Sequence, residues 1–294
     1  MTMKKITLAS CVLAASLSAQ AELQPLSEYD LHAVTGQGGI DIALDVEIDI
    51  GEIIYVDTDA TDGGSVVIQD LHLGGGEGRN RLFGQPVSNN TSRIDAFTFS
   101  IDAASNGDLS IGGVSTCGSA CPVDFLVSTG AIFTRDSDGD RAVNLVDSIS
   151  MYGGALYFNM DVSNRTRTVD GATQNYTNLR MVTEFGIEDL DIDASSSLGL
   201  KIENAVVAGS QYLEQKAVLG NNVPASRRVT QLFVDMYADA EGGVVFDFRP
   251  GAILDANIMD IDLASVTVGD GAIGRVAIDD LNLSNIAIRV AGHD

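Results

Sequence analysis

Residues Ile40–Ile50, IDIALDVEIDI, alternate without interruption. Ile40, Ile42, Leu44, Val46, Ile48 and Ile50 fall on one side, and Asp41, Ala43, Asp45, Glu47 and Asp49 on the other. A period of two belongs to a strand with one apolar and one wet face. These eleven residues at about 3.3 Å each extend roughly 36 Å, more than an ordinary strand. Such a strand needs an apolar partner surface of similar length. It therefore commits the chain to an elongated all-β body.

A second pattern bends that body. Ile68-Gln-Asp-Leu-His-Leu73, Ile187-Glu-Asp-Leu-Asp-Ile192, Ile258-Met-Asp-Ile-Asp-Leu263 and Ile278-Asp-Asp-Leu-Asn-Leu283 share apolar steps of three and then two, with Asp third. Ile94–Phe99 and Val146–Met151 are looser versions. An extra residue flips the phase of a strand, so the chain must bulge to keep its apolar side chains on one face. The copies recur at no fixed period, which disfavours a regular solenoid. The expected fold is an elongated curved antiparallel sandwich or irregular β-roll with long amphipathic strands. A transmembrane barrel also alternates. However, Trp is absent, and aromatics make up only 6% of the chain, which leaves little for interfacial girdles. Clusters of Gly, Asn, Asp and Ser separate the strands. The best helical candidate inside the fold is Ser210–Leu219.

The first 21 residues read as a leader. Lys4 and Lys5 precede an apolar run from Ile6 to Leu17, and Ala19-Gln-Ala21 is a small-residue cleavage pattern. Leu8-Ala-Ser-Cys11 resembles a lipoprotein box, but the apolar run continues beyond it. The expected organisation is a signal peptide over 1–21, a turn or short helix over 22–39 and a single elongated β domain over 40–294. Export to the periplasm, the outer-membrane surface or the medium follows.

Export leaves 15 basic and 41 acidic residues, since Lys4 and Lys5 go with the leader, for a net charge of 15 − 41 = −26. A chain so acidic lacks the Lys and Arg that neutralise a phosphate backbone, which excludes nucleic acid as a partner. It also disfavours docking onto anionic headgroups and suits divalent cations. Membrane association is left open. Of the three cysteines, Cys117 and Cys121 lie beyond the leader. In an oxidising compartment this spacing reads as a local disulfide closing a small loop, with a redox pair or half a metal site as the other readings.

Asp136-Ser-Asp-Gly-Asp-Arg-Ala-Val-Asn-Leu-Val-Asp147 places acids at positions 1, 3, 5 and 12 of a twelve-residue window. Calcium takes six to eight oxygens, and this spacing can wrap one loop around the ion. The window resembles dockerin and EF-hand-like calcium loops. That resemblance implies ligands from Asp136, Asp138, Asp140, the Ala142 carbonyl and Asp147. It departs from the pattern at Arg141, where Gly is usual, and in the strand-like stretch Val143–Met151 where a helix is usual. An acidic hairpin turn is the other reading.

No catalytic set emerges. Carboxylate pairs such as Glu188-Asp189 and Asp279-Asp280 alternate with apolar residues and read as the solvated side of strands. His32, His72 and His293 share no ligand spacing, and Gly74-Gly-Gly-Glu-Gly78 lacks the Lys and helix of a phosphate cradle. The chain is expected not to be an enzyme.

Residues 21–59 carry Leu26 and Leu31 in an acidic turn, then Val34-Thr-Gly-Gln37 and Gly39-Ile40 leading into alternation. This resembles the start of a family of uncharacterised secreted bacterial proteins that includes FilA, assigned to a pilus system. The likeness extends through Ile68–Gly76 and Gly274–Leu283. It implies export and association with surface or filament proteins, and it brings no catalytic residues. The expected function is a secreted, non-enzymatic structural or adhesive protein with surface or pilus-system partners. The alternative is a module holding a lipid or other hydrophobic ligand in an elongated apolar interior. A filled core favours the first, and an open groove the second.

Overall fold

The computed structural model describes residues 39–57, 63–87, 91–115, 121–169, 171–240, 242–248 and 256–291. The expected leader, residues 22–38 of the expected turn or short helix, and Cys117 lie outside them.

The chain is nearly all β, and one large antiparallel sheet curls into a half-barrel. Its axis is a hairpin of two very long strands, β11 (Ser148–Val169) and β12 (Ala172–Ala194). Each of these strands serves two different neighbours. The first part of β11 pairs with β8 (Val123–Thr129), and its second part pairs with β7 (Leu109–Ser115). The first part of β12 pairs with β14 (Thr230–Ala238), and its last part pairs with β13 (Leu200–Gly209). The sheet thus forks on both sides of one hairpin.

Two lobes result, each eight strands wide. In lobe 1 the order is β1 (Ile40–Val46), β6 (Ile94–Ala103), β7, β11, β12, β14, β15 (Val244–Asp247) and β18 (Ala287–Val290). In lobe 2 the order is β2 (Ile48–Val56), β3 (Ser65–Gly74), β8, β11, β12, β13, β16 (Ile258–Val268) and β17 (Gly271–Asn282). β9 (Ile132–Arg135) and β10 (Arg141–Val146) continue the β8 and β11 tracks of lobe 2 beyond Gly130 and Asp147. A two-residue ladder, β4 (Arg81–Leu82) with β5 (Gln85–Pro86), stands apart from the sheet. The helix α1 spans Tyr212–Leu219, inside the stretch read as helical from sequence.

The long alternating segment is divided. Ile40–Val46 edges lobe 1, Ile48–Val56 edges lobe 2, and Glu47 is the break between them. The repeated Asp motif marks irregular points, as its phase requires. Asp70 and Asp280 adopt left-handed backbone, with φ of 49° and 53°. Ladder register shifts between Ile187 and Leu190 and between Met259 and Ile261, around Asp189 and Asp260. Asp tolerates the left-handed region better than apolar residues do, because its short polar side chain bonds locally.

Directly opposed residues of an antiparallel pair share a face. In lobe 2 one row crosses all eight strands: Ile48, Leu73, Val127, Met151, Leu190, Ala205, Leu263 and Val276. In lobe 1 the row Ile40, Ile101, Ile111, Met160, Met181 and Val234 is equally apolar, as is Leu109, Val162, Leu179, Met236, Phe246 and Ile288. Alternation along β12 from Leu179 to Ile187 puts both lobes' rows on the same side. One largely apolar face, broken at Thr183 and giving way to Asn164, Thr166, Asn175 and Thr177 toward the hairpin tip, therefore runs through both lobes.

The covering elements sit on the opposite face. Leu82 and Phe83 pack on Tyr152, and Tyr212 of α1 packs with Ala208 and Val223. Tyr152 and Ala208 both alternate away from the apolar rows. Gly154 and Gly186 make room for the plug: a Cβ on Gly154 would lie 2.2 Å from Leu82 Cδ2, and one on Gly186 2.8 Å from Phe83 Cε1.

Candidate functional site: an open apolar face

Among the described residues, no strand, helix or loop packs over the apolar rows. Most of their central side chains are half-buried, while Ala205 and Val234 are fully buried. Phe97 and Phe99, two apart on β6, bring their ring centroids to 4.6 Å, and Phe99 reaches Phe158 at 5.8 Å, both edge-on. At the rims the same face is open: Ile40 is 62% exposed, Ile48 40% and Val290 57%. Exposure on this scale along two strands far exceeds the scattered surface aliphatics of an ordinary soluble protein. Chemically the face offers dispersion contacts and exclusion of water, with Met160, Met181 and Met236 as adaptable elements at its centre.

The outer face uses other chemistry. Asp260 is fully buried. Its Oδ2 accepts the Leu213 N–H at 2.9 Å and its Oδ1 the Asp280 N–H at 2.9 Å, so one carboxylate docks α1 and holds the bulge of β17. Asp262 is 1% exposed and bridges Lys216 Nζ and Arg275 Nε, each at 2.6 Å. Burial opposes its charge, but Arg275 and then Lys216 outweigh that and hold its carboxyl below the ordinary value. Asp124 has no such cation. Burial pushes its carboxyl up, only partly offset by the N–H groups of Gly76 and Asp124 itself. The reading of strand acids as solvated fails at these three residues. In each case a segment distant in sequence, α1 or the loop at Gly76, comes to lie over the strand.

Asn257 joins the lobes. It is fully buried at φ 63°, its Oδ1 accepts the Phe233 N–H at 2.7 Å, and its Nδ2 donates to the Phe233 carbonyl at 2.9 Å and the Phe248 carbonyl at 2.5 Å. The side chain thus pairs like a strand residue with β14 where β15 has ended. No periodicity flags such a residue. The signal available in sequence was an Asn just before the Ile258 repeat.

The acidic window is a tight hairpin turn between β9 and β10. Asp136 N–H donates to the Asp140 carbonyl at 2.9 Å, Asp136 Oδ1 accepts the N–H of Asp138 and Asp140, and Gly139 takes φ 86°. Ala142 lies on β10. Asp147 is engaged elsewhere, by the Ser196 N–H at 2.9 Å, Ser196 Oγ at 2.6 Å and Asn144 Nδ2 at 2.6 Å. These hydrogen bonds, led by the Ser196 hydroxyl, hold its carboxyl below the ordinary value. Of the loop acids, Asp136, Asp138 and Asp140 share the turn while Asp147 faces the Ser195–Ser197 corner. Three-residue groups with ligand atoms within 4.8 Å of one another occur instead at Glu47, Asp49 and His72 and at Asp260, Asp279 and Asp280. In the first group Arg93 also reaches Glu47 at 3.6 Å, and in the second Asp260 is committed to backbone donors. Cys121 lies two residues before β8, and its expected partner Cys117 is outside the described residues.

A cleft of about 350 Å³ opens where β13 and β14 diverge, lined by Leu156, Glu184, Ser210, Arg227, Gln231 and Ile258 among others. Its mixed lining holds no nucleophile paired with a base. No described helix is long and apolar enough to cross a membrane.

Residues 1–105 match the model of a family of unknown function, DUF6160. The match runs through β6 and so covers the first strands of both lobes. No curated protein and no solved structure matches the chain.

Proposed function

We propose that this protein is an exported, non-enzymatic module that holds acyl chains along the apolar face of its half-barrel. One observation carries the reading: apolar rows continue across the strands of both lobes with no described element over them. A filled interior would have supported the purely structural alternative. On β12 the apolar side runs from Leu179 to Ala194, roughly 50 Å, enough for extended hydrocarbon, before the face turns polar at Thr177 and Asn175. A ligand gains about 0.8 kcal/mol for each methylene it buries, so a single long chain can bind a groove of this kind without any polar anchor. The acidic exterior fits the same division, since an apolar-lined carrier stays soluble through its other face.

Native mass spectrometry of the purified chain, with solvent extraction and lipid analysis, tests this directly. Co-purifying acyl lipid, or saturable uptake of a fluorescent fatty acid that weakens in Met160→Asp, is the expected result. Absence of both would leave the structural reading.

That second reading draws on the outermost sheet edges, unpaired among the described residues, and would place the chain within a surface or pilus assembly. Export, the Cys117–Cys121 bridge and calcium at the acidic turn belong with these proposals. Fractionation, non-reducing peptide mapping and calorimetry with calcium test each in turn.

A further inference from the structure

Among the described residues the two outermost edges of the sheet, β1–β2 and β17–β18, match each other, and β10 is a shorter edge beside β9. Among the described residues β1 and β2 pair only inward, with β6 and β3, and β17 and β18 pair only inward, with β16 and β15. Unpaired N–H and C=O groups along a long edge are a template for another strand unless charge, proline or a bulge blocks them. Neither edge contains proline, and both present aliphatic side chains on the apolar face.

Direction decides what fits. The first edge runs from lobe 1 to lobe 2, β1 then β2, while the last runs from lobe 2 to lobe 1, β17 then β18. Each lobe has an even number of antiparallel strands, so the two edges point in opposite senses. When the last edge of one copy lies beside the first edge of another, with lobes aligned and apolar faces on the same side, the new pair is antiparallel like every pair within the sheet. The ladder rows place Ile48, beside the break at Glu47, level with Val276, so bringing that break against the one between Asn282 and Ala287 needs a stagger of the second copy along the strands. Charge argues against each first edge pairing with its own kind. Asp41, Asp45, Glu47, Asp49 and Glu52 stand on the outer side of β1 and β2; Arg93 pairs with Asp45 and Glu47 and Arg135 with Glu52, which leaves Asp41 and Asp49 to repel their like across strands. The last edge carries Arg275 and Arg289 on that side, each already paired within its own copy, with Asp262 and Asp239, and Asp279 stands two strand positions beyond Ala277 on the same side.

We infer that the β1–β2 edge takes up the β17–β18 edge of a second copy by antiparallel strand addition. Because each copy is a half-barrel, two copies can join both outermost edges around one axis, with β10 left as a short edge in each. The inference rests on the edges and not on what the groove holds.

Complementation between damaged edges tests it in the full-length chain. One variant carries Ile42→Asp and Ile50→Asp, the other Ile278→Asp and Ile288→Asp, with far-UV circular dichroism to confirm folding. Sedimentation should give twice the mass of one chain for the wild type. Each variant alone should give a single chain, and their equimolar mixture should regain the pair. A monomeric wild type, association of either variant alone, or failure of the mixture to pair would overturn the inference. Hydrogen exchange on the wild type provides a reading free of substitutions. Amides of Ile48–Val56 and Gly271–Asn282 should slow together as protein concentration rises, and rates independent of concentration at both edges would also overturn it.

Discussion

The two faces of this sheet are built on opposite principles. The outer face of lobe 2 is covered, and the side chains buried deepest there include Asp260, Asp262 and Asn257 beside Tyr152, Phe83 and Leu82. The inner face is almost wholly apolar and has no cover among the described residues. Cohesion therefore resides largely where polar groups meet backbone donors or cations, and the aliphatic rows are kept free. A buried carboxylate that accepts two N–H groups specifies one docking position for α1, whereas apolar packing alone would tolerate several.

The comparison can be broken most sharply at Asp260. Asp260→Ala orphans the Leu213 and Asp280 N–H groups, at about 1–3 kcal/mol each, so a loss near 4 kcal/mol is expected in urea unfolding. Asn257→Ala should follow at about 3 kcal/mol, from the lost bonds to Phe233 and the strain of a side chain at positive φ. Asn257→Gly should recover only the backbone part. On the inner face, Met160→Ala should cost about 1 kcal/mol, well below the loss at a fully packed core position, because the side chain is only partly buried. A loss at Met160 as large as at Asp260 would mean that something covers the groove.

Acid pH separates two outer-face carboxylates. Asp262 has its folded-state pKa depressed, so its stabilisation is present above the unfolded value of about 3.9 and is lost as pH falls through the folded one. Asp124 has its folded pKa raised, so the native state binds its proton first and stability gains as pH falls through that window. Denaturation midpoints followed from pH 6 downward should thus show a shallower acid loss in Asp262→Asn and a steeper one in Asp124→Asn than in the parent. The smallest expected effect is at the acidic turn. With Asp147 held by Ser196 and Asn144, melting curves with calcium and with chelator should differ by less than about 1 °C. A larger shift would restore the loop as a ligand set.

The β architecture was legible because alternation is a local property. Ile40–Ile50 needs only its own neighbours to declare two faces, and the Asp motif needs only six residues to announce a bulge. The helix at Tyr212–Leu219 was legible for the same reason. The site was legible in part. The apolar side of each strand could be read, but the open groove could not, since nothing within one strand says whether another segment will lie over it. The acids show the same limit. Asp41 and Asp260 look alike in sequence, yet Asp41 is solvent-exposed while Asp260 is sealed beneath α1.

Sequence alone determined that the chain would be all-β, two-faced and repeatedly bent, since these follow from side-chain period and backbone sterics. Tertiary structure alone decided which face would be covered. The covering pieces, Leu82-Phe83 and α1, reach Tyr152 and Asp260 across about 70 and 47 residues, a separation over which hydrophobic period carries no information.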